Sequence, residues 1–124
     1  MTDDTDRIKI AKMLGWTEIR PRDFGECLHF LLGIPPESGP EVLDYVPDFF
    51  TDAAAANKVV VAMAKRGLTF TQVSYLNDGM HHDIAFLAEG GRTAGHASGA
   101  GESASPFICQ AALQAVAAKG GDDV

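Results

Sequence analysis

At 124 residues the chain has the length of one domain, and it is long enough to bury a core without cross-links. A hydrophobic content of 46% with 22% charged residues excludes a wholly disordered chain. The net charge of −7 argues against generic phosphate binding, because nucleic-acid affinity is built on Lys and Arg neutralising phosphates.

The carboxylates are unevenly spread. From Asp23 to Asn57 stand seven of them (Asp23, Glu26, Glu37, Glu41, Asp44, Asp48, Asp52) and no Lys or Arg. The plain reading is a solvated face that aids solubility. The sharper one is a surface that competes for a basic, nucleic-acid-binding partner. Cys27 and Cys109 each sit among apolar residues, which fits buried, reduced thiols in a cytosolic setting. No apolar run approaches the roughly 18 residues of a membrane span, and the opening MTDDTDRIKI is too acidic and polar for a signal peptide. The expectation is a soluble, cytoplasmic protein.

In chain order, Thr5 to Leu14 reads as a short amphipathic helix with Ile8, Ala11 and Leu14 at helical spacing. Gly15 ends it, and Trp16 anchors the chain on the core. Arg20 to Pro47 is the least regular part, broken by Pro21, Pro35, Pro36, Pro40 and Pro47. Within it, CLHFLLGI (Cys27–Ile34) is either a strand or a turn of helix. The acidic, irregular segment as a whole spans about 20–50, and a stretch of that length is often functional.

The pattern then sharpens. Thr51 or Asp52 caps a helix running to about Arg66, with Ala55, Val59, Ala62 and Met63 on one face. Lys65 and Arg66 suit its last turn, and Gly67 its left-handed end. LTFTQVSYL (Leu68–Leu76) reads as a strand and Asn77-Asp78-Gly79 as a hairpin turn. His82 to Ala88 alternates, with His82, Ile84, Phe86 and Ala88 on one side. After Glu89-Gly90-Gly91, Arg92 to Ala97 is a weaker third strand. Ser105 as N-cap and Pro106 at the first position open the last helix, and KGGDDV is a frayed tail. The order predicts a single α+β domain over 1–124: a short N-terminal helix, then an α-β-β-β-α core whose antiparallel sheet of about three strands is flanked by helices.

In that last helix Ile108, Cys109, Ala112, Leu113 and Val116 fall on one face, and Gln110 and Gln114 mark the other. Cys109 therefore reads as a core thiol. A nucleophile would need an accessible, electropositive setting and a base, and the local sequence supplies neither.

Three stretches together resemble the phage ABA sandwich domain family, small proteins of phages and prophages. They are LGWTEI (Leu14–Ile19), VPDFFTDAAAANKVVVAMAKRGLTFT (Val46–Thr71) and ESASPFICQAALQAV (Glu102–Val116). Arg20–Val46 and the Gly-rich Gly90–Gly101 fall outside the resemblance. It implies an α+β sandwich of phage or prophage origin, acting in a bacterial host cell, and it carries no catalytic residues.

Candidate chemistry is sparse. His81 and His82 are adjacent, so on a strand they point to opposite faces and do not share one ion. Neither they nor His29, His96 and Cys27-x-His29 show the paired spacing of a structural zinc site. GGRTAGHASGAGES (Gly90–Ser103) is a Gly-rich loop in which Arg92, His96 and Ser98 would read an anion, but no Gly-Lys-Ser/Thr completes a P-loop. The helix–strands–helix order also resembles double-stranded-RNA-binding domains, yet the last helix has no Lys or Arg before Lys119.

Two expectations follow. The first is a non-enzymatic accessory protein that uses no cofactor or metal and binds a host or phage protein. A sharp version is an inhibitor of a CRISPR effector, or another basic nucleic-acid-binding effector, with no direct nucleic-acid or membrane contact. Its partner surface would be Glu37, Glu41, Asp44 and Asp48 with Tyr45 and Phe49 interleaved. The second is a small-ligand or nucleotide-binding module using Arg92, His96 and Ser98. An exposed apolar face would allow a homodimer in either case.

Overall fold

The computed structural model describes residues 4–23, 29–39 and 42–118. Cys27, Glu26, Glu41 and the tail expected at 119–124 lie outside them. The order of elements is α1 (Asp4–Leu14), β1 (Thr17–Asp23), β2 (His29–Ile34), β3 (Asp44–Tyr45), α2 (Ala53–Lys65), β4 (Thr69–Leu76), β5 (Met80–Leu87), β6 (Thr93–Ala100) and α3 (Ser105–Ala118). The fold class is α+β, with two separate three-stranded antiparallel sheets ordered β1-β2-β3 and β4-β5-β6. Among the described residues no helix is long and apolar enough to cross a membrane. The chain divides into two compact units, 1–48 and 49–124.

In the first unit the helix ends as expected, with Gly15 at φ 102° and the Trp16 amide bonded back to the Ala11 carbonyl. The segment read as irregular contributes strands to a sheet. β1 is an edge strand, where Pro21 costs no ladder bond to a second neighbour. Its pairing with β2 slips by one residue between Thr17 and Arg20, and Glu18 at φ 53° sits in that bulge. Leu31, Gly33 and Val46 face inward, the Val46 amide meeting the Leu31 carbonyl at 2.8 Å. Ile10 and Ala11 of α1 are buried too, and Arg7 reaches the Val46 carbonyl at 3.0 Å.

The second unit carries the predicted α-β-β-β-α order. Asp52 caps α2 through bonds from the Ala54 and Ala55 amides, and Gly67 at φ 87° takes the left-handed end. Ala55, Ala56, Val59 and Met63 form its buried face. β4 and β5 pair in register over eight residues, from Thr69↔Leu87 to Leu76↔Met80, around a turn with Asp78 and Gly79 at positive φ. His82, Ile84 and Phe86 alternate inward as predicted.

Two details differ from the sequence reading. The Gly-rich stretch is not a loop: β6 runs to Ala100, paired with β5 from Thr93. Its glycines let α3 lie against the backbone. A Cβ on Gly95 would stand 2.0 Å from the Ala111 carbonyl oxygen, and one on Gly99 would stand 2.8 Å from the Phe107 ring. The cap of α3 is also shifted. Ser105 is already helical, and the Ser103 hydroxyl accepts its amide proton at 3.1 Å.

The Gly95 contact is testable. Gly95→Ala puts a methyl group into helix backbone, which cannot yield like a flexible side chain. It should lower unfolding free energy by about 2–3 kcal/mol or more. The exposed Ser98→Ala should stay within about 0.5 kcal/mol of wild type. Urea unfolding followed by far-UV circular dichroism measures both.

Candidate functional site

The described residues offer no catalytic constellation. Cys109 is fully buried, and its thiol donates to the Phe49 carbonyl at 3.2 Å. This is the core thiol expected. His82 is buried as well. Its Nε2 lies 3.0 Å from the Gly101 carbonyl, which only accepts, so Nε2 carries the proton and Nδ1 accepts from the Ser74 hydroxyl at 2.8 Å. Both ring nitrogens are thus engaged in joining strands. His81 points to the other face, stacked on Tyr75 at 5.3 Å and bonded to the Asn77 carbonyl. Among the described residues no three His, Cys, Asp or Glu side chains gather as metal ligands would.

The anion-reading set fares unevenly. His96 and Ser98 share the exposed outer face of β6, while Arg92 precedes the strand. His96 is paired with the Asp83 carboxylate on β5, which stands directly opposite Ser98. A carboxylate at that position repels an anion. The His96 amide goes to the Gln114 side chain at 3.1 Å, so it is not offered to a ligand. The cradle expected of a Gly-rich loop is replaced by a strand ladder.

The protein-binding set lies on and beside the first sheet. Glu37, Asp44 and Tyr45 are exposed and Asp48 is half-buried. Phe49 is not part of any partner-facing surface: at 1% exposure it serves the core. Its neighbour Phe50 is buried too.

What sequence reading missed is the rest of that sheet face. Because side chains alternate, Phe30, Leu32 and Ile34 of β2 face away from the buried side. Arg22 stands opposite Phe30, Arg20 and Tyr45 flank Leu32, and Thr17 stands opposite Ile34. Phe30 and Tyr45 are in ring contact at 5.1 Å, tilted by 57°. A shallow cleft of about 720 Å³ lies on this face, lined by Thr17, Glu18, Arg20, Arg22, Leu32, Ile34, Ser38 and Leu43. Arg20 pairs with Glu18 at 3.2 Å in open solvent, where such a pair adds little stability. The segment entering β3 exposes Val42, Leu43 (63%) and Tyr45 (57%) within four residues. The only signal for this face was the alternation in β2. Apolar residues on both sides of that strand concealed it.

Comparison of the chain with known protein families, with curated proteins and with solved structures found no match.

The buried thiol gives a direct check. With Cys27 replaced by Ser so that Cys109 alone remains, a thiol reagent should leave the native protein essentially unlabelled. Labelling should appear only as denaturant opens the core, in step with unfolding.

Proposed function

We propose that the protein acts by binding another protein, without catalysis, through the outward face of its first sheet. The observation that carries this reading is the exposure of Val42, Leu43 and Tyr45 side by side, continuous across the sheet with Phe30 and Leu32. Clustered apolar and aromatic side chains rimmed by charge are the usual anatomy of a protein-binding site. The rim here is mixed: Arg20 and Arg22 stand on this face of β1, and the exposed Glu37 and Asp44 lie in the chain between β2 and Tyr45, Asp44 at the sheet edge opposite Gly33.

The resemblance of Leu14–Ile19, Val46–Thr71 and Glu102–Val116 to phage ABA sandwich domains supports a phage or prophage accessory role. The acidic side of the rim favours a basic partner, and an anti-defence inhibitor that occupies the groove of a nucleic-acid-handling effector meets both conditions.

The test begins with capture of a partner from host lysate, its identification by mass spectrometry, and titration against the purified partner. Tyr45→Ala and Leu43→Ser should each weaken binding about 30-fold, the cost of losing a buried anchor of roughly 2 kcal/mol. Val61→Ser, on exposed α2 surface, should leave it unchanged. Equal affinity for all three variants removes the first sheet from the interface. Glu37→Gln with Asp44→Asn should chiefly slow association and flatten its salt dependence. If salt dependence is unaltered, the partner is not held by this acidic rim.

A further inference from the structure

The two edges of the second sheet are treated differently. At β6 the helix covers the edge, with Gln114 accepting from the His96 amide. At β4 the described residues provide no such cover: the strand pairs with β5 alone, and its residues are exposed nearly from end to end. Edges are normally blunted by Lys, Pro, a bulge or shortness. β4 has none of these. It is eight residues long, TFTQVSYL, without charge or proline, and its pairing with β5 is free of register shifts. Large apolar side chains are exposed on both of its faces, Val73 (59%) and Tyr75 (48%) on the outer face and Leu76 (79%) on the helix side.

From these observations we propose that β4 is a dimerisation edge, pairing antiparallel with β4 of a second copy to form a continuous six-stranded sheet. Two features select a second copy over a foreign strand. In a chain of net charge −7 the approach of another copy is opposed, yet every residue of β4 is uncharged, so pairing along this edge brings no like charges of the strand together. The strand is also self-complementary. A two-fold axis through Val73 keeps the helices of both copies on one side of the sheet. It sets Val73 against Val73, Thr71 against Tyr75, Gln72 against Ser74 and Phe70 against Leu76 of the second copy. Apolar then meets apolar on both faces, Val73 against Val73 on the outer one and Phe70 against Leu76 on the helix side. This interface draws on the second unit and does not depend on the binding face of the first sheet.

Light scattering coupled to size exclusion tests it over a concentration series. Wild type should show twice the chain mass at high concentration, falling on dilution. Val73→Lys places two ammonium groups across the axis, and Gln72→Pro removes a donor that faces the free edge, since Val73 pairs toward Asp83 and Gln72 points the other way. Both should give monomers, with at least a tenfold rise in dissociation constant, and circular dichroism should show them folded. Val61→Lys should remain dimeric. With Cys27 and Cys109 replaced by Ser and Val73→Cys introduced, mild oxidation should link two chains efficiently, while Leu43→Cys in the same background should not. A wild type that stays monomeric throughout overturns the proposal, and so does a dimer that survives Val73→Lys and Gln72→Pro.

Discussion

The second unit depends on how closely one helix can lie on one strand. At Gly95 the backbone of β6 and that of α3 are so near that no side chain fits between them. The helix meets this with Ala111, Ala112 and Ala115, all buried. Small residues bury little area each, so cohesion comes from the number of close contacts between backbones rather than from large side chains. Bulk is supplied elsewhere, by Ile84 and Phe86 on β5, Val59 and Met63 on α2, and Phe49 at the start of the unit. The Cys109 thiol bonding to the Phe49 carbonyl ties that start to the middle of α3.

The same economy governs the polar groups that go inside. His82 stands among apolar neighbours with Phe107 nearby, and both its nitrogens find partners from within the sheet and its exit. A buried imidazole satisfied in this way fixes one tautomer and holds the end of β6 to β5. It is a structural histidine, whereas Asp83 and His96 of the outer face bond to one another.

Most of the second unit was legible from residues because its signals are local. Asp52, Gly67, Asn77-Asp78-Gly79 and the alternation from His82 each act within a few positions, and each formed what it encodes. The failures share a cause: the deciding contact was distant in sequence. Glycines at 95 and 99 read as loop because nothing nearby reveals a helix packed upon them. Phe49 read as surface because it stands among carboxylates, whereas its burial is decided by residues far along the chain. The first sheet was hidden by prolines that edge and turn positions tolerate, and by a bulge that breaks the period of β1. Of the residues expected on a partner surface, Tyr45, Asp44 and Glu37 are exposed, and Arg20, Arg22, Phe30 and Leu32 of the same sheet were not singled out.

The bulge at Glu18 has a further meaning. Because side chains alternate along a strand, one supernumerary residue sets the phase of everything after it. With it, Arg20 and Arg22 stand beside Leu32 and Phe30 on the solvent side. Without it, the same two guanidinium groups would turn toward Leu31 and Gly33, where burial of an unpaired charge is forbidding. The insertion of a single amino acid thus acts as a parity bit for the whole surface. The same residues paired from Thr17 without the bulge would set Ile19 and Pro21 opposite Leu32 and Phe30 in place of the two arginines.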